Sequence, residues 1–301
     1  APTCVRYRSR LSQVSRITAS GETVTITLSG PNTGFPALLD IPIVKSGTET
    51  SLTPVGTGPY QVSSDEEGVC LTAHTGWWAG ASLPVDRIGL STARDRETVL
   101  YQFSSHDIQL ITADLTGTDP ITATGNISYQ DADTTILQYV GINTRREPFQ
   151  DATVRQALGL GINRPTLVSA VLSGHARAAQ FPVSPVSALY PAELETLYAY
   201  DDFSAAMEAA GLTSGQTRTV TMLVNSENSF KVAAAESIAE ALSDFDLQIQ
   251  VQALPWEEYT AALAAGNFDL YYGEVKLTAD WDLSALVGTG GSLNYGGWTD
   301  P

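Results

Sequence analysis

From Thr219 to Val275 the chain repeats one pattern, a run of strand character followed by a run of helical character, and no other stretch constrains the fold as tightly. "TVTMLVN" (219–225), the strict apolar/Gln alternation "LQIQVQA" (247–253) and "FDLYYGEV" (268–275) read as strands. "SFKVAAAESIAEALSDF" (229–245) and "WEEYTAALAAG" (256–266) read as helices between them. A βαβαβ series with short connections implies a parallel sheet with right-handed crossovers. Such sheets hold ligands outside the carboxyl ends of their strands, here near Asn225, near Pro255 and Trp256, and at Glu274 to Lys276.

Upstream, from Asp151, helices with clear punctuation dominate. "DATVRQALGLGI" opens on a capping-type Asp, and "NRPTLVSAVLSG" opens on Asn163, carries Pro165 in its first turn and stops at Gly174. In "DDFSAAMEAAG" the residues Phe203, Ala206, Met207 and Ala210 share one helix face before Gly211. The N-terminal part is instead rich in Thr, Ser and Val. "ETVTITL" (22–28) alternates Val24, Ile26 and Leu28 inward with Thr outward, whereas Pro42 makes "ALLDIPIV" (37–44) a poor central strand. In "PVGTGPYQV" (54–62) two glycines and two prolines shape a turn that feeds a strand. "TILQYVGIN" (135–143) is a long extended run, and the character of the chain changes after it.

Composition removes several function classes. With 33 acidic against 16 basic residues the formal charge is -17, which repels nucleic-acid phosphates and anionic membrane surfaces. No apolar run approaches the roughly 20 residues of a membrane-spanning helix. Cys4 and Cys70 lack metal or redox spacing and read either as one disulfide or as two separate thiols. No GxSxG, P-loop or HExxH motif is present, and His74, His106 and His175 are far apart in sequence. "DAD" (131–133) resembles the start of a calcium loop but lacks the glycine and distal Glu, so it reads as a solvated turn. The five tryptophans, Trp77, Trp78, Trp256, Trp281 and Trp298, fall near turns, where they serve either as walls of a small-molecule site or as packing. Asp280 in "TADWD", just past the last strand, reads either as a partner for a ligand amine or as an exposed loop carboxylate.

Taken in order, "PVGTGPYQV", "YVGINTRREPFQDATVRQALGLGINRPTLVSAVLSGHA", "YDDFSAAMEAAGL" and "FDLYYGEV...TADWD...GGSLNYGGW" resemble the extracellular solute-binding proteins of peptide and nickel ABC importers. The resemblance is most specific at residues 139–174, through Asn143, Pro148, Phe149, Val154, Arg155, Gln156, Ala157 and Leu158. It implies an α/β, two-lobed periplasmic-binding-protein-like fold of type II, with mixed sheets and flanking helices. Residues 1–140 would belong to lobe I, 141–276 would form lobe II, and 277–301 would begin the return to lobe I. The "PVGTGPYQV" turn would then be scaffold. Family members are longer at both ends, so the sequence is expected to be a segment without the signal peptide, the anchoring cysteine, the first strands of lobe I and the C-terminal return.

In peptide-binding members an Asp in a "GW.ADY" segment pairs with the peptide α-amino group, and Asp280 is its match; Lys276 and Leu277 stand where Gly-Trp is usual. The ligand-binding set implied is Glu274, Lys276, Leu277, Thr278, Asp280 and Trp281, with no catalytic residue, metal ligand or cofactor. Partners implied are a peptide, nickel complex, opine or other small solute and the subunits of a membrane permease, with no nucleic acid and a monomeric receptor. The location implied is extracellular or periplasmic, with a lipid anchor on the full-length protein. From the residues alone two other classes stay open, a hydrolase on an α/β scaffold and a bare interaction module.

Overall fold

The computed structural model describes residues 7–299 apart from 9, 115, 118–120, 122, 199–202 and 244. Two compact units divide the chain, Ala1–Thr112 and Ala113–Pro301. Cys4, and with it the question of its pairing, lies outside the described residues; Cys70 is buried, its thiol 3.1 Å from the Ser63 hydroxyl.

The first unit is built from antiparallel pairs. β1 (Val14–Ser20) and β2 (Thr23–Leu28) form a two-stranded ribbon around a turn at Gly21, where φ is +58°. The expected inward alternation of β2 holds for half-buried Ile26 and Leu28 and fails at Val24, which is 63% exposed. A two-stranded ribbon has two open faces, and alternation buries a residue only where something packs on it. The Pro42 segment forms a 3₁₀ turn at Phe35–Leu39, with Phe35 and Leu38 buried, and then a single bridge from Val44 to Gly56. β3 (Tyr60–Asp65), β4 (Gly68–Ala73) and β5 (Arg87–Gly89) complete a three-stranded sheet, followed by α1 (Arg96–Ser104), which Asp95 caps. The Thr57 carbonyl in "PVGTGPYQV" accepts from the indole N–H of both Trp77 and Trp78, at 3.0 and 3.1 Å. These two tryptophans pin the turn that feeds β3.

The second unit holds a four-stranded sheet in the order β6-β9-β7-β8. β7 (Arg218–Asn225), β8 (Leu247–Leu254) and β9 (Leu270–Lys276) are parallel, as the alternation requires. α5 (Ser229–Leu242) links β7 to β8, and α6 (Trp256–Ala265) carries the chain from β8 back past β7 to β9. Two crossovers of one hand that run in opposite directions must place their helices on opposite faces. Accordingly Ala234, Ile238 and Leu242 of α5 join one core, and Tyr259 and Leu263 of α6 join another. The first core also takes α2 (Ala152–Gly161) and α4 (Phe203–Ala209), with α3 (Arg164–Leu172) against its rim.

The long extended run 135–143 supplies β6 (Ile136–Ile142), antiparallel to β9 from Ile136↔Lys276 to Ile142↔Leu270. Residue 140 thus lies within a strand of the second compact unit, which begins at Ala113. The residues of the 139–174 signature are mostly scaffold. Asn143 is buried and donates to the carbonyls of Gly266 and Phe268; Phe149, Val154, Ala157 and Leu158 are core. Arg155 closes the turn ahead of α2 through the carbonyls of Phe149 and Gln150, both at 2.8 Å.

Candidate functional site at the carboxyl end of the sheet

β8 lies on one side of β7 and β9 on the other, so the strand order reverses at β7, where an open α/β sheet leaves a crevice beyond its strand ends. The expected site residues run from the last turn of β9 into the segment that follows it. Glu274 faces Gln138 across the β6–β9 pair and accepts a hydrogen bond from its amide. Its carboxylate also pairs with Lys231 Nζ at 3.0 Å. Lys231 sits in the first turn of α5 and is largely buried, so this ion pair neutralises a cation that would otherwise be costly there. Glu274 is therefore engaged within the protein. Lys276 ends β9 in register with Ile136 and is exposed.

The chain is then clamped. Leu277 is buried; its N–H donates to the Thr135 carbonyl at 3.0 Å, and its carbonyl accepts from the Thr135 hydroxyl at 2.7 Å. One turn follows, closed by the Trp281 N–H on the Thr278 carbonyl at 3.0 Å. Within it the Thr278 hydroxyl donates to Asp280 Oδ1 at 2.6 Å, and half-buried Trp281 takes φ +58°, a left-handed conformation unusual for an aromatic residue. Asp282 accepts from the Ser284 N–H and hydroxyl at the start of α7 (Ser284–Val287). Asp280 thus presents a half-buried carboxylate, one oxygen held by Thr278, on a turn fixed at both ends.

The other strand ends are also built. Asn228 caps α5 through the Lys231 N–H and ties down the carbonyls of Thr116 and Gly117. Glu227 Oε1 accepts from the Trp256 backbone N–H at 3.0 Å, and Trp256 is 53% exposed. Behind the sheet lie Tyr139, Tyr259, Tyr271 and Tyr295, with Tyr139 and Tyr271 sharing a 3.2 Å hydroxyl contact. Burial pushes the Tyr139, Tyr259 and Tyr271 hydroxyls above the ordinary phenol range, so these three stay neutral. Sequence reading missed Gln138, Lys231 and Thr135; only Asn228, as a residue with cap chemistry ahead of a helix, left a local signal.

The "DAD" aspartates are solvated, as read, and each also has a partner: Asp131 meets His175 Nδ1 at 2.8 Å, and Asp133 meets Arg177 Nε at 2.6 Å. No group of three or more metal-ligating side chains occurs among the described residues, and none of their helices is long and apolar enough to cross a membrane.

The family model described as "Bacterial extracellular solute-binding proteins, family 5 Middle" matches residues 5–294. Over 286 residues the chain is 26% identical to the glutathione-binding protein GsiB of Shigella flexneri, covering 88% of this chain and 55% of that protein. It is 23% identical to the oligopeptide-binding protein AppA of Bacillus subtilis, covering 77% of this chain and 45% of that one. Among solved structures it superposes on a nickel ABC transporter protein of Bacillus halodurans with TM-score 0.74 at 21% identity, covering 99% of this chain and 66% of that one. A peptide-binding protein AppA from Clostridium difficile gives TM-score 0.70 at 16% identity, covering 98% and 65%. These likenesses give the fold as the type II periplasmic-binding-protein fold, with mixed sheets and flanking helices. The chain spans about half the length of the curated relatives it matches.

Proposed function

This chain belongs to the bacterial extracellular solute-binding proteins of family 5, and on that premise we propose that it is the receptor of an ABC importer, taking up a peptide or related small solute and delivering it to a membrane permease. The observation that carries the peptide reading is Asp280, a carboxylate held on a rigid turn at the carboxyl end of the sheet. An ammonium taken out of water needs such a partner, and a peptide brings one at its N-terminus. Relatives named for glutathione and for oligopeptides share the free amine. Lys276, Thr278 and Trp281 flank Asp280, while Glu274 and Leu277 brace the turn. We read the receptor as non-catalytic and monomeric, working outside the cytoplasm with a lipid anchor on the full-length protein.

In this reading residues 141–276 form lobe II. The antiparallel pair β6/β9 is where the chain enters and leaves it, since Ile136 and Lys276 are partners. Ligand then shifts the population from open to closed lobes by its extra contacts in the closed state.

The test is calorimetry on wild type and Asp280→Asn with a free-amine tripeptide and its N-acetyl form, alongside a check for peptide turnover. Losing one partner of a partly buried ion pair costs on the order of 3 kcal/mol, so Asp280→Asn should weaken the free-amine peptide by about a hundredfold and leave the melting temperature in place. Equal affinity of both variants would remove Asp280 from the site, and turnover would replace the receptor reading by the hydrolase.

A further inference from the structure

We propose that the second unit carries another binding site, a cavity of about 240 Å³ beside the start of α3 that takes a small α-amino acid as its zwitterion. Its walls include Leu160 and Ile162 at the end of α2, Arg164 and Pro165 at the start of α3, and Gln180 and Glu195 from the connection toward α4. It uses none of the residues around Asp280.

Two of these walls carry opposite charges, Arg164 and Glu195, and no ion pair joins them. Arg164 Nη1 donates to the carbonyls of Gly159 and Ile162 at 3.1 and 3.2 Å, which fixes the guanidinium at the end of α2. Its Nε and Nη2 donors have no partner among the described residues, and no carboxylate there lies within ion-pairing distance of it. Burial disfavours the charged form of this half-buried guanidinium and lowers its pKa, so its charge is only partly compensated. Across the cavity, Glu195 Oε1 accepts from the Tyr190 hydroxyl at 2.5 Å, and that hydroxyl accepts from the Gln180 N–H at 3.1 Å. Each charge is tied to its own wall, so the two do not collapse onto one another.

A ligand that fills this gap must bring an anion to Arg164 and a cation to Glu195. The free fork of the guanidinium matches a carboxylate in two parallel hydrogen bonds, and an ammonium offers three donors to Glu195. An α-amino acid carries both groups on one carbon and adds no net charge. A dicarboxylate would meet Glu195 and a chain of formal charge -17; a diamine would meet Arg164. Leu160, Ile162 and Pro165 favour a short aliphatic side chain, and the volume excludes a long peptide.

The experiment follows amide chemical shifts of the full chain on titration with L-alanine, N-acetyl-L-alanine and L-alaninamide. L-Alanine should give saturable shifts in residues 162–165 and 178–195, with the two blocked forms at least about tenfold weaker because each leaves one charge unpaired. Glu195→Gln should weaken L-alanine about tenfold and leave N-acetyl-L-alanine unchanged. Arg164→Lys keeps the charge but loses the fork; Glu195 sits on an exposed turn, so its variant keeps the test valid should the Arg164 change loosen α2. Asp280→Asn should leave L-alanine binding untouched whatever it does to peptides. The absence of saturable shifts, equal affinity for all three ligands, or loss of L-alanine binding in Asp280→Asn but not in Glu195→Gln would each overturn the proposal.

Discussion

Gly159 and Gly161 lie two residues apart in α2, and the same substitution to alanine should have opposite signs at the two positions. At Gly159 an added Cβ meets nothing within 4 Å. Alanine there gains only the helix preference of a residue with less backbone freedom to lose, about 0.5 to 1 kcal/mol of stability. At Gly161 the Cβ would lie 2.2 Å from Phe203 Cε2 and 2.6 Å from Leu242 Cδ2. The first of these is about 1.2 Å short of ordinary contact, and the ring cannot swing away because it stacks edge-on against Phe245 at 4.5 Å. Overpacking of this kind costs about 1 to 3 kcal/mol, more than the helix preference returns. Because the chain has two compact units, a whole-chain melt would mix their responses, whereas hydrogen exchange at the β7 amides reports the second unit alone. Gly159→Ala should slow exchange there up to about fivefold, and Gly161→Ala should speed it by about five- to a hundredfold. Shifts of the same sign at both positions would refute the reasoning, since only the neighbours of the two Cβ atoms differ.

Gly141→Ala should destabilise the β6–β9 pair by about 1 to 3 kcal/mol, because its Cβ would fall 2.0 Å from a Tyr271 ring boxed in by Tyr139, Phe268 and Tyr295. A urea midpoint restored in part by adding Tyr271→Leu would confirm the cause. Asn143→Leu leaves the Gly266 and Phe268 carbonyls without their donor at a cost of about 1 to 3 kcal/mol, measurable by calorimetry. Asp133 has its pKa lowered by the hydrogen bond from Arg177, so the pairing contributes above the ordinary carboxylate range and is lost as pH falls through the depressed value. Exchange at residues 129–135 should therefore respond to Asp133→Asn at neutral pH and cease to respond once wild-type Asp133 is protonated; a difference that persists in strong acid would refute it.

What the sequence made legible was local. The strands and helices of 218–276 announce themselves through side-chain period and caps, and their parallel pairing follows from the helices between them. The place of β6 does not follow, because its partner β9 lies more than a hundred residues away and either edge of the sheet would accept a strand of that pattern. Val24 shows the reverse case, a correct period with no packing partner to give it meaning. The "DAD" aspartates are solvated as their sequence suggests, but their partners, His175 and Arg177, could not be read because the path of the loop after α3 rather than spacing brings them there.

The same distinction explains how much of the Asp280 site could be read. Its position past β9 is a matter of sequence order, but its orientation depends on Thr135, contributed by the segment ahead of β6. Thr135 grips Leu277 on both backbone groups, so the turn begins from a fixed point. Thr278 then holds one Asp280 oxygen while Trp281 takes a left-handed conformation that the turn's own hydrogen bond maintains. A carboxylate on a mobile loop would lose ordering entropy on meeting a ligand amine; one held in this way has met most of that cost during folding. Affinity at such a site depends on the clamp as well as on the charge. Thr135, which holds Leu277 in place, is for that reason as much a part of the candidate site as the residues the sequence brought forward.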